Sequence, residues 1–259
     1  MDLGLQDRVV VVTGGTRGLG FATAQALHDE GALVVVSGRH LDGVRGAVDR
    51  LGRDRAEGVV ADNADPDAGQ RLLAAATTRF GRLDGALLSV GGPAAGTLAG
   101  TTDEQWRAAF ESVLLGGVRL LRTFAEAMAG RPGAAGTGGA IAMVLSVSAR
   151  SPIAGLTTSN ALRPGLAMLV KQATDEYGGG NVRVVGLMPG RIATDRLTEL
   201  DALSGDAAQA RARHEATIPL GRYGEPAEFG RVATFVLSPA ASYLAGSLVA
   251  VDGGLLRAL

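Results

Sequence analysis

The chain has 259 residues, no cysteine and a formal net charge of −1, with 46% hydrophobic and 20% charged residues. That balance is globular, and the length allows one α/β domain with a substantial core. It excludes disulfides and thiolate chemistry, and gives no bulk field for nucleic acid or an anionic membrane. In chain order, apolar runs at 9–12, 33–37, 58–61, 86–90, 140–145, 182–187 and 247–251 read as strands. Helical stretches at 16–30, 41–52, 66–80, 102–129 and 156–178 lie between most of them. Strands that are apolar almost throughout are buried on both faces. Their alternation with crossover helices predicts a doubly wound parallel sheet of about seven strands, an α/β Rossmann-type fold forming a single domain over 1–259.

The segment 130–139, GRPGAAGTGG, reads as a surface loop between a helix and a strand. The polar stretch 191–217 breaks the alternation after a late strand. It is expected to form a helical, mobile lid over the edge of the sheet where ligands bind. The opening residues lack a basic region followed by a long apolar stretch, and no apolar run is long enough to span a bilayer, so a cytoplasmic protein is expected.

Residues 13–20 read TGGTRGLG directly after the first strand and open a helix. Gly14, Gly18 and Gly20 permit a tight turn and let backbone approach a diphosphate, with Thr16, Arg17 and Leu19 in the same turn. The second strand ends Ser37-Gly38-Arg39, without the acid that holds a ribose 2′-hydroxyl. Arg39 and Arg17 instead offer two guanidiniums to a 2′-phosphate, which favours NADP(H) over NAD(H). Each arginine alone also fits a solvated surface position.

Further segments follow in order: Asp62-Asn63 after the third strand, Leu88-Ser89-Val90-Gly91 after the fourth, Pro189-Gly190-Arg191-Ile192-Ala193-Thr194 after the sixth, and Val251-Asp252-Gly253-Gly254 near the end. Together with the glycine turn they resemble the short-chain dehydrogenases/reductases, the 3-oxoacyl-carrier-protein reductases among them, over essentially the whole chain. The resemblance implies adenine contacts at Asp62 and Asn63, and cofactor contacts at Ser89 and Gly91. It implies nicotinamide contacts at Pro189, Gly190, Ile192 and Thr194. It also implies a homo-oligomer, a tetramer or a dimer, paired through the helices at 102–129 and 156–178.

The family's catalytic set is a Ser, a Tyr thirteen residues later, a Lys four residues after that, and an Asn on the preceding long helix. Here Ser146 is present, while Ser159, Arg163 and Val113 stand at the other three positions. The resemblance implies that Ser146 orients a carbonyl, with Ser148 as a secondary candidate, and that Arg163 holds the nicotinamide ribose. Ser159 is a far weaker acid than a phenol, and Arg163 keeps its proton. Two readings stand for Ser159, a catalytic hydroxyl or a helix cap. Pro164 predicts a helix that starts near Ser159 or is distorted there. Tyr177, Tyr223 and Tyr243 lie too far along the chain to replace the phenol. His214, in the lid, is a minor candidate proton donor, and no cluster suggests a metal.

The sequence therefore reads as an NADP(H)-dependent oxidoreductase of divergent short-chain type acting on a small organic molecule. Two alternatives remain open. One is a non-redox enzyme (a dehydratase, isomerase or cyclase). The other is an idle NADP-binding protein.

Overall fold

The computed structural model describes residues 1–130, 138–202 and 205–258. Its strands are β1 (Val9–Val12), β2 (Leu33–Gly38), β3 (Ala56–Val60), β4 (Gly85–Leu88), β5 (Gly139–Val144), β6 (Val182–Pro189) and β7 (Leu248–Val251). They form one seven-stranded sheet in the order β3-β2-β1-β4-β5-β6-β7, with every pairing parallel. The helices are α1 (Gly18–Asp29), α2 (Leu41–Leu51), α3 (Ala68–Phe80), α4 (Asp103–Ala109), α5 (Gly116–Met128), α6 (Thr157–Tyr177), α7 (Asp195–Ala202), α8 (Ala207–Glu215) and α9 (Pro226–Leu237). Among the described residues no helix is long and apolar enough to cross a membrane.

The period of two along β1 divides the interior. Val9 and Val11 point into one core, with Leu72 of α3, Phe124 of α5 and Leu166 of α6. Val10 and Val12 point into the other, with Leu27 of α1, Leu51 of α2 and Phe229 of α9. Each fully buried valine contributes about 1.5–3 kcal/mol relative to exposure. Because successive crossovers run in opposite directions from β1, the strand order reverses between β1 and β4. The crevice beyond their carboxyl ends is where such sheets take ligands.

Most expected elements lie within two residues of their observed bounds. β3 starts two residues earlier than expected. It is the edge strand, paired only to β2, and its half-exposed side chains weaken the apolar signal. The stretch expected as one helix over 102–129 is α4, a π-helical turn at Phe110–Leu115, and α5. The wide turn delivers Gly116 against the Asn63 carbonyl, where any Cβ would overlap the oxygen. α6 starts at Thr157 with Leu156 as its N-cap and carries Pro164 inside it. Ser159 is thus within the first turn and not the cap. The expected loop at 130–139 falls mostly outside the described residues.

Candidate active site

The first strand delivers its chain directly into the glycine turn. Gly14 and Gly18 have φ of 60° and 55°, a region that favours glycine. A Cβ on Gly20 would overlap the Gly14 carbonyl oxygen and stand 2.8 Å from its carbon. Arg17 is the N-cap of α1, without a side-chain cap bond, and no acidic residue occupies the first turn. The leading N–H groups of α1 are therefore left for an anion. Arg17 itself is exposed and pairs with Asp195 at 3.7 Å. Arg39 is exposed at the end of β2 and makes no ion pair among the described residues.

The carboxyl ends of the central strands are laced together. The Thr13 hydroxyl accepts from the Ser89 N–H at 2.8 Å, and Asn63 Nδ2 donates to the Ser89 carbonyl at 3.2 Å. Ser89 and Asn63 are thereby fixed beside the glycine turn, while Asp62 is exposed. After β6, Gly190 donates to the Val251 carbonyl at 3.0 Å. Ile192 is buried, and Thr194 comes to 3.5 Å from where a Gly18 Cβ would be. The structure thus brings together the glycine turn, the loop after β4 and the 189–194 segment. These residues fit a dinucleotide: a backbone cradle that a Cβ would fill, and two buried polar atoms without partners, Ser37 Oγ and Arg163 Nε, near the ends of β2 and β5.

Ser146 follows β5 by two residues in extended backbone, and its Oγ accepts from the Ser148 N–H at 3.0 Å. Ser148 Oγ and Ser159 Oγ are 3.0 Å apart and buried. Four residues on from Ser159, one helical turn, Arg163 is 5% exposed. Its Nη1 donates to the Val144 carbonyl and its Nη2 to the Gly91 carbonyl, both at 2.5 Å. Burial pushes its pKa down to about 10, so it remains a cation at neutral pH. Val113 is buried in the π-helical turn. Three hydroxyls and one guanidinium therefore meet at the end of β5, and none of them titrates near neutral pH.

A family model described as enoyl-(acyl-carrier-protein) reductase matches residues 14–256. An uncharacterized oxidoreductase of Mycobacterium tuberculosis is 33% identical over 254 residues, 97% of this chain and 93% of that protein. The chain belongs to the short-chain dehydrogenase/reductase family. L-rhamnose 1-dehydrogenase (NAD(P)(+)) of Azotobacter vinelandii is 32% identical over 258 residues, 97% of each chain. The solved L-sorbose reductase from Gluconobacter frateurii, complexed with NADPH and L-sorbose, is 29% identical. It matches with a TM-score of 0.92 over 100% of both chains.

In this short-chain dehydrogenase/reductase the lid is held by a cluster that sequence reasoning missed. Asp201 of α7 is buried and accepts from the Tyr223 hydroxyl at 2.9 Å. His214 Nδ1 of α8 lies 3.2 Å from Asp201 and 3.1 Å from the Tyr223 oxygen. Arg191 reaches Asp201 at 3.5 Å, and Arg211 stacks 4.9 Å above the Tyr223 ring. Burial, then the Asp201 hydrogen bond, pushes the Tyr223 pKa up to about 12. His214 Nδ1 is engaged within this cluster. Only a buried acid among the polar residues of the lid could have announced it, and burial is not visible in the sequence. Tyr243 is fully exposed and Tyr177 ends α6, so neither supplies a phenol to the hydroxyl group.

Proposed function

We propose that the chain is an NADP(H)-dependent oxidoreductase that moves hydride between nicotinamide and a carbonyl or alcohol of a small organic molecule, without a tyrosine general acid. The observation that carries this reading is the glycine cradle after β1, closed to any Cβ at Gly20, in a chain whose β5 is followed by the clustered hydroxyls of Ser146, Ser148 and Ser159. When bound, the dinucleotide supplies the hydride. Arg39 and Arg17 hold a 2′-phosphate by charge-assisted hydrogen bonds. Asp62 and Asn63 border the adenine, while Thr16 and Leu19 shape the turn and Ser89 and Gly91 line its far side. Pro189, Gly190, Ile192 and Thr194 seat the nicotinamide end.

Ser146 donates to the substrate oxygen. Arg163 has two of its five N–H groups on backbone carbonyls, and its Nε is left for a ribose hydroxyl. Its fixed charge also stabilises negative charge developing beside Ser146. Ser148 and Ser159 relay a proton between substrate and water rather than supply one at neutral pH. A positioned acid typically contributes about 10²–10⁴ in rate, roughly 3–5.5 kcal/mol, and that part of the acceleration is forgone or drawn from the substrate. NADPH consumption across a panel of ketones, aldehydes and quinones tests the reading. Turnover that falls at least about tenfold in Ser146→Ala supports it. NADPH binding with no consumption across the panel sinks the redox assignment.

One observation favours a second reading, a dinucleotide-binding protein without turnover. Arg163 directs both ends of its guanidinium to backbone, as a structural staple would. Copies of the chain are proposed to pair as a dimer or tetramer through the helices carrying Phe110, 47% exposed, and Met168, 69% exposed.

A further inference from the structure

We infer that the substrate of this site carries a carboxylate and that Arg196 is the residue that receives it. This deepens the oxidoreductase reading and rests on it. Arg196 lies in the first turn of α7, two residues after the proposed nicotinamide segment. It is half-buried, and its Nη2 donates to the Pro93 carbonyl at 2.6 Å. Its Nε would stand 3.2 Å from a Cβ on Gly92, so the guanidinium lies flat over that glycine. Arg163 holds the Gly91 carbonyl, at 2.5 Å. The three-residue segment Gly91-Gly92-Pro93 is therefore held at its two ends by guanidiniums, one from α6 and one from α7.

Neither cation is compensated. Among the described residues, no carboxylate lies within 4.0 Å of either guanidinium. Asp195, the neighbour of Arg196, turns away to Arg17 at 3.7 Å. Glu199, one turn further along α7, makes no ion pair with Arg196. An oxidised nicotinamide would add positive charge here rather than cancel it. Arg196 is half-buried beside Pro93 with no carboxylate against it, so a substrate carboxylate placed there would supply the missing counter-charge. Arg196 has four N–H groups not used by Pro93, enough for the forked geometry that suits a carboxylate.

The test uses enzyme saturated with NADP⁺ and a series of straight-chain carboxylic acids from acetate to octanoate, each paired with its uncharged amide. Binding is read by calorimetry, independently of turnover. The expected result is saturable binding of at least one acid, with its amide about tenfold weaker or more, as a lost charge-assisted bond requires. Arg196→Gln should erase the difference between acid and amide, and Arg196→Lys should keep part of it. NADPH affinity and melting temperature of both variants should stay near wild type, which separates loss of the anion site from loss of the cofactor or the fold. Equal binding of acid and amide, a preference that survives Arg196→Gln, or no saturable binding by any acid overturns the inference. A failure of NADPH binding in the wild type would instead strike the oxidoreductase reading beneath it.

Discussion

Replacing Arg163 with methionine tests how the buried guanidinium is used. The variant keeps most of the side-chain volume and removes both hydrogen bonds, leaving the Val144 and Gly91 carbonyls without their donor. Each orphaned buried acceptor costs about 1–3 kcal/mol. Part of that is recovered, because the wild type buries a charge whose Nε has no partner. The net loss expected is about 2–4 kcal/mol. For a domain of this size each kcal/mol moves the melting temperature by about 2–4 °C, so a fall of roughly 5–15 °C is expected. Arg163→Lys should lose about half as much, because one ammonium reaches one of the two carbonyls. Calorimetric melting of the three proteins is the assay. Melting within about 2 °C of wild type for Arg163→Met would show that the guanidinium does not fasten the loop after β4 to the end of β5.

Gly20→Ala forces a Cβ into the Gly14 backbone, so the turn must move. Overpacking of about 1–3 kcal/mol should weaken NADPH binding by at least about fivefold in a fluorescence titration, and unchanged affinity would remove the cradle from the account. Arg39→Ala should weaken NADPH about tenfold while leaving NADH unaltered, because only the former carries the 2′-phosphate; equal losses would argue against that contact. The His214 pKa lies below its ordinary value, because burial and the Arg191 charge disfavour the imidazolium. As pH falls below about 6.5 the unfolded chain takes the proton first, so stability declines through the lower folded value. His214→Gln should flatten that decline between pH 7.5 and 5, and identical slopes in the two proteins would exclude the histidine as its source.

The parts of this protein that were legible in its sequence are those set by backbone chemistry. Val9–Val12 alternates between two cores and reads as a buried strand because nothing polar interrupts it. Gly14, Gly18 and Gly20 announce their turn because other residues would strain or collide there. The hydroxyl cluster was half legible. Ser146, Ser159 and Arg163 were marked by the resemblance to the family's catalytic set, but the Ser148–Ser159 contact depends on how a 3₁₀ turn at Val147–Ala149 meets α6. The helical stretch at 156–178 matches α6, while Pro164, which suggested a start near Ser159 or a distortion there, lies inside the helix in its second turn. The π-helical turn around Val113 left no mark in composition, and the Gly116 that follows it packs against the Asn63 carbonyl, which is distant in the chain. The Asp201–Tyr223–His214 cluster and the reach of Arg196 to Pro93 join segments that are far apart in the chain, and local pattern does not carry such contacts.

The central claim is that the chain keeps an NADP(H) platform beside a rebuilt set of hydroxyls. Calorimetric titration of the wild-type protein with NADPH and with NADH tests it most directly. The account predicts saturable one-to-one binding of NADPH, at least about tenfold tighter than NADH. Absence of NADPH binding, or equal affinity for the two dinucleotides, would contradict it.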